Sequence, residues 1–127
     1  MKEILLKLHK NTLVFSAEVY FDCNDFACTK ERDDAIAERW ANTYSIYTKL
    51  MMRHWDFWYK EGKDSYLFYP KLTKGEKGPE LSGSPIDLIQ SQGYCSPPLE
   101  NGAEQFNISP DGNLVFLCSF KRWKNAI

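Results

Sequence analysis

The chain has 127 residues, of which 43% are hydrophobic and 15% aromatic, enough apolar surface for one globular core and too much for disorder. With 16 basic against 17 acidic residues the formal charge is -1, so no net field favours nucleic acid or an anionic membrane, and neither is an expected partner. No apolar run approaches the roughly 20 residues of a membrane helix, and the lysine-interrupted opening Met1-Lys2-Glu3-Ile4-Leu5-Leu6-Lys7 is too short for a signal peptide.

The first element is a hairpin. Leu6-Lys7-Leu8-His9 alternates, Lys10-Asn11 is a polar break, and Leu13 to Tyr20 is rich in β-branched and aromatic residues, ending where Asp22 to Asp25 supply turn chemistry. From Thr29 the period changes. Thr29 is placed to cap, Glu31, Asp33 and Asp34 suit a first turn, and Ile36, Trp40, Tyr44, Tyr47 and Met51 recur at spacings of three to four. The spacing predicts one amphipathic helix over 29–52.

Arg53 to Tyr59 and Asp64 to Tyr69 read as two strands joined by the turn Lys60-Glu61-Gly62-Lys63, with Trp55, Phe57 and Trp58 as core aromatics. Residues 70–102 hold five of the six prolines and five of the seven glycines, which predicts mostly loop with a short strand or helical turn at Ile86 to Gln90. A loop of that length in a compact domain is expected to lie against something else. Phe106 to Leu117 is strand, tight turn, strand, with Ser109-Pro110-Asp111-Gly112 at the corner. It echoes the first hairpin, down to the exits Leu13-Val14-Phe15 and Leu114-Val115-Phe116, and two such hairpins suggest a repeat architecture such as a propeller. Lys121-Arg122-Trp123-Lys124 reads as a solvated end.

Cys23 and Cys28, five apart, suit a small disulfide loop, and Cys95 and Cys118 are available for a second, weaker pair. Four unbonded thiols remain the alternative. Metal is not expected, because the spacing is not that of structural zinc sites and His9 and His54 join no ligand series. Asn107-Ile108-Ser109 spells a glycosylation sequon, but Pro110 follows it and a strand is predicted over it, so the sequence alone gives it no role.

Phe15-Ser16-Ala17-Glu18-Val19-Tyr20, Asp22-Cys23, Ala27-Cys28-Thr29-Lys30, Arg53-His54-Trp55-Asp56, Tyr66-Leu67-Phe68 and Ser109-Pro110-Asp111-Gly112 occur in an order that resembles the β-propeller of dipeptidyl peptidase V type enzymes. These are secreted serine peptidases of the prolyl oligopeptidase family, related to acylaminoacyl peptidases. The resemblance spans roughly Leu13 to Phe120. It departs in the first hairpin, where His9-Lys10-Asn11 replaces Ser-Pro-Asp-Gly, and around Tyr94-Cys95-Ser96-Pro97-Pro98.

The resemblance implies a mainly β fold, an antiparallel propeller-blade fragment with the helix as an insertion. It implies that the whole of residues 1–127 is partial propeller, that an α/β-hydrolase domain is the partner carrying the chemistry, and that export belongs to the parent family. No Gly-x-Ser-x-Gly elbow occurs in the chain, and neither histidine stands in a triad order, so the chain alone is expected to be inactive and to need no cofactor. Peptides are the implied substrates of the parent enzyme, gated and positioned by the propeller. A small stand-alone β-rich binding or oligomerisation module is the alternative from another class.

Two side chains are candidates for substrate binding. Glu18, at a strand end, suits a protonated α-amine, and Arg53 suits a carbonyl or carboxylate. The simpler readings are a solvent-facing Glu18 set by strand alternation and an Arg53 paired with Asp56 or a helix acid. His54 reads as a structural histidine.

Overall fold

The computed structural model of the chain describes residues 6–9, 12–39, 46–48, 53–54, 57–58, 60, 62–97 and 102–121. The fold is mainly β and antiparallel, with one helix. In chain order it runs β1 (Leu6–His9), β2 (Thr12–Tyr20), α1 (Phe26–Arg39), β3 (Arg53–His54), β4 (Phe57–Trp58), β5 (Lys63–Tyr69), β6 (Leu72–Gly75) and β7 (Gly78–Leu81). It continues through β8 (Ile86–Asp87), β9 (Tyr94–Cys95), β10 (Phe106–Ile108), β11 (Val115–Leu117) and β12 (Phe120–Lys121). Two compact units form, Met1–Glu18 with Ser65–Arg122 and Val19–Asp64 with Trp123–Ile127.

The first unit is built on a sheet ordered β1-β2-β5-β8, whose strands are neighbours in the order the chain makes them. β1 and β2 pair antiparallel from Leu6↔Phe15 to His9↔Thr12, and β5 pairs with β8 at Phe68↔Asp87 and Tyr69↔Ile86. Tyr66, Leu67 and Phe68 are consecutive and all buried, as a strand with both faces covered requires. They join Val14, Ile89, Cys95, Phe106 and Ile108 in the core, and the rings of Phe15 and Phe68 stack at 5.8 Å. The edge strand β1 leaves Leu6 57% and Leu8 64% exposed.

The hairpin expected over 106–117 is present, with β10 paired to β11 through Phe106↔Leu117, Asn107↔Phe116 and Ile108↔Val115. Its turn is tied internally. Ser109 N donates to Leu114 O at 2.8 Å, Gly112 N to Ser109 O at 2.9 Å, and Leu114 N to Ser109 Oγ at 2.9 Å. Asp111 accepts from Ser109 Oγ, from Asn113 N at 3.2 Å and from Asn113 Nδ2 at 3.0 Å, bonds that hold its carboxyl below the ordinary range. The tips of the two similar hairpins also meet: His9 Nε2 donates to Pro110 O at 2.9 Å and Thr12 Oγ1 to Gly112 O at 3.1 Å.

The loop expected over 70–102 is more ordered than its composition implies. β6 and β7 form a hairpin registered Leu72↔Leu81 to Gly75↔Gly78 around Glu76-Lys77, extended by Ser82 N donating to Lys71 O at 2.9 Å. Pro79 is tolerated because this ribbon has two strands and needs no donor on its outer edge. β8 falls within the predicted 86–90 element, and Asp87 accepts from the backbone N–H of Ile89, Gln90 and Ser91 at 2.7–2.9 Å. β9 returns to pair with β12, Cys95 opposite Phe120, and Ser96 Oγ donates to Cys118 O at 2.7 Å. Cys95, buried, and Cys118, exposed, are thiols, so the second disulfide considered from the sequence is not formed.

In the second unit the disulfide Cys23–Cys28 is formed, with Cα atoms 5.6 Å apart. The helix begins three residues before the predicted start, because the Asp25 carboxylate, not Thr29, caps it and accepts from Cys28 N at 2.7 Å. Thr29 is buried and its Oγ1 accepts from Tyr20 N at 3.3 Å. The described helix ends at Arg39, and residues 46–48 are not helical, so no single helix runs over 29–52. Ile36 is 42% exposed and Thr29 alone in the helix is buried. Polar residues surround this helix, and ion pairs such as Lys30–Asp34, 2.6 Å apart at i and i+4, support it in place of an apolar stripe. Trp40, Tyr44 and Met51, from the predicted stripe, lie outside the described residues.

Arg53 to Tyr59 is not one strand. β3 folds directly onto β4, Arg53 opposite Trp58 and His54 opposite Phe57, while β5 has β2 and β8 as its neighbours. Trp58 is 51% exposed, a correction to its reading as a core aromatic. Its cross-strand partner is a cation, and the pair stacks at the surface. Trp55 lies outside the described residues, as do the side chains of His54 and Phe57.

Two variants measure these constraints. Gly112→Ala forces a side chain onto a residue at φ +80° with a Cβ 3.1 Å from Thr12 Oγ1, and is expected to lower unfolding free energy by about 1–2 kcal/mol in urea titration. Replacing Cys23 and Cys28 together by serine releases a short covalent loop and is expected to cost about 2 kcal/mol on the chain-entropy relation, read the same way.

Candidate functional site

Glu18 and Arg53, the two candidate binding residues, belong to different units. Glu18 sits two residues beyond Ser16 and four beyond Val14 on β2, so it shares their alternation, and both of those are buried. Its side chain is half-buried. The expected solvent-facing glutamate is therefore an inward-register carboxylate at the point where strict alternation ends, Val19 and Tyr20 both being buried.

Arg53 is exposed, and its guanidinium lies 5.1 Å from the ring centroid of Trp58. The Tyr47 ring sits 5.5 Å from that of Trp58, tilted by 32°. A guanidinium resting on an aromatic face keeps its N–H edge available in its own plane, the geometry that meets a carboxylate or carbonyl. Asp56, considered as its partner, lies outside the described residues.

The densest group of charges is elsewhere in the second unit, around Tyr20. Tyr20 Oη donates to Asp33 Oδ1 at 2.9 Å, and Lys63 Nζ donates to Asp33 Oδ2 at 2.5 Å. The Tyr20 ring has Arg32 4.4 Å away and Lys63 Nζ 5.4 Å away, and Arg32 Nη1 donates to Asp22 Oδ1 at 2.6 Å. Local chain geometry delivers these groups. Cys23 N donates to Tyr20 O at 3.0 Å, the disulfide pins the start of α1, and Phe21 N donates to Gly62 O at 3.0 Å just before Lys63. Sequence reasoning treated Asp33 as a helix-start charge and missed the cluster. The available signal was the i, i+1 pair Arg32-Asp33 following a disulfide-sized loop.

Burial, and then the bond to Asp33, pushes the Tyr20 hydroxyl up to about 12. Burial also opposes ionisation of Asp33, but the bonds from Lys63 and Tyr20 and the charges of Lys63 and Lys60 outweigh it and hold the carboxyl below its ordinary range. Near neutrality neither group is poised to exchange a proton, so the cluster is a clamp rather than an acid–base pair. No group of His, Cys, Asp and Glu suited to a metal occurs among the described residues, and no helix among them is long and apolar enough to cross a membrane.

No protein-family model, no curated protein and no solved structure matches the chain.

The clamp predicts an alkaline limit. Because the folded state raises the Tyr20 pKa from 10.0 to about 12, the stability it contributes is complete below pH 10 and lost as pH rises to about 12. Tyr20→Phe is expected to cost about 1 kcal/mol at neutral pH and to flatten that part of the alkaline decline, measured by urea midpoints across the range.

Proposed function

We propose that this chain is a propeller segment of a serine exopeptidase of the dipeptidyl peptidase V type, non-catalytic in itself, that gates and positions peptides beside an α/β-hydrolase domain. The observation that carries this reading is the sheet ordered β1-β2-β5-β8. Propeller blades are four-stranded antiparallel sheets repeated around an axis, and a sheet whose strands follow chain order is what one blade requires. The hairpin β10–β11, with its Ser-Pro-Asp-Gly corner, then begins another repeat. Leu6 and Leu8 on the edge strand supply apolar surface that a neighbouring blade covers, since a repeat of this kind does not bury its faces alone. The α1 segment and the β6–β7 ribbon are insertions between blade strands.

In this reading the hydrolase domain brings the nucleophile, and the propeller brings groups that hold the substrate's amino end. Glu18 anchors the protonated α-amine. A half-buried carboxylate in the inward register is partly withdrawn from water, where its attraction for an ammonium is stronger than at the open surface. Within the second unit, Arg53 supported by Trp58 is by itself suited to a carbonyl or carboxylate.

The test places residues 13–120 in the corresponding segment of an intact dipeptidyl peptidase V type enzyme. Release of dipeptides should survive the exchange. Glu18→Gln in the chimera should raise KM for a free-amine dipeptide substrate about 10- to 100-fold, the equivalent of the roughly 1.5–3 kcal/mol of one charge-assisted hydrogen bond, and leave an N-acylated substrate unaffected. An inactive chimera that is nonetheless folded, or an unchanged KM, overturns the reading.

A further inference from the structure

We propose that Asn107 is an acceptor for an N-linked oligosaccharide and that Phe116 is the surface on which its first sugar rests. Asn107-Ile108-Ser109 is the chain's one Asn-x-Ser/Thr sequence. β10 places Phe106 and Ile108 in the core and Asn107 between them in solvent, so a group attached there meets no packed neighbour. The Asn107 oxygen accepts from Ile108 N at 3.0 Å, which fixes the carboxamide through its oxygen while the nitrogen is the atom that carries the sugar.

The register supplies the second observation. Asn107 is directly opposite Phe116, so the two side chains share one face, and Phe116 is 60% exposed with Leu114 beside the same strand 59% exposed. An exposed Phe116 on a three-residue strand, with exposed Leu114 just before that strand, has no explanation within the hairpin. A β-linked N-acetylhexosamine presents one face of axial C–H bonds, apolar and electropositive, which fits the negative face of an aromatic ring. A sugar on Asn107 covers that apolar surface. The third observation is the Cys23–Cys28 disulfide, a bond that forms in the oxidising compartments where such transfer takes place.

In the transfer the Asn107 amide nitrogen attacks the anomeric carbon of an oligosaccharide carried on a polyisoprenyl diphosphate. The N–C bond forms as the C–O bond to the diphosphate breaks. The amide proton passes to a base of the transferase, and the polyisoprenyl diphosphate leaves, with no change of oxidation state. Ser109, whose hydroxyl the transferase must read, is buried in the folded turn and bonded to Asp111 and Leu114. The sequon is therefore read before the hairpin closes, while Asn107 itself stays outside afterwards. Pro110 narrows the backbone of Ser109 to extended conformations, so partial occupancy is expected.

The experiment expresses the full chain behind a cleavable export leader in a eukaryotic secretory host and examines both secreted and microsomal protein with peptide-N-glycosidase. The expected result is a mixture of unmodified chain and one single-glycan form, the latter collapsing on digestion, leaving aspartate at residue 107 by mass spectrometry, and disappearing in Asn107→Gln. Digestion should lower the Tm of the wild-type chain and change that of Phe116→Ala less. A disulfide-bonded chain with residue 107 unmodified in both fractions overturns the proposal. A glycan whose removal leaves the wild-type Tm unchanged overturns the role of Phe116. Neither outcome depends on the peptidase reading.

Discussion

Three consecutive buried residues, Tyr66, Leu67 and Phe68, set the requirement that organises the first unit. Side chains alternate faces along a strand, so burying all three means covering both sides of β5 and pairing both of its edges. β2 and β8 supply the edges. Most of the remaining pairing is short: β6–β7, β9–β12 and β10–β11 are two-stranded ribbons of two to four residues per strand, and such ribbons are marginal by themselves. They persist by side-chain bonds that substitute for a third strand. The Ser109–Leu114 turn is the clearest case, its bonds closing β10–β11 while His9 and Thr12 hold it from the first hairpin.

The second unit solves a different problem, that of seating a polar helix with almost nothing to bury. The disulfide and the Asp25 cap define where α1 starts, and Asp33 then takes bonds from both Tyr20 and Lys63. A carboxylate partly removed from water is tolerated when its oxygens are occupied and a cation is at hand. That satisfaction is also why the cluster is chemically quiet, since a carboxyl held low and a phenol held high leave nothing to titrate near neutrality. Glu18 and Arg53, to which the proposed function assigns binding, have different settings, a strand end and an exposed cation–aromatic stack.

Leu6 and Leu8 leave an apolar edge on β1, and under the proposed propeller reading a neighbouring repeat covers it. The face carrying Phe116 is a separate matter, because the polar Asn107 stands directly opposite it.

The mainly β class, the two hairpins at 6–20 and 106–117, a strand over 64–69 and the Cys23–Cys28 loop were legible in the sequence, because alternation, turn residues and close cysteine spacing are local signals. The sequence did not reveal the β6–β7 ribbon, whose glycines and proline look like loop until their pairing is known, nor that residues 46–48, inside the predicted helix, are not helical. The candidate site divided in the same way. Glu18 and Arg53 were legible as residue types, but the inward register of Glu18 and the stack of Arg53 on Trp58 were not. Only tertiary structure decided that Asp33 meets Tyr20 and Lys63, that Cys95 and Cys118 remain thiols, and that Asn107 faces Phe116. Those outcomes depend on which distant segments become neighbours, and that is fixed by strand pairing and burial rather than by any local spacing.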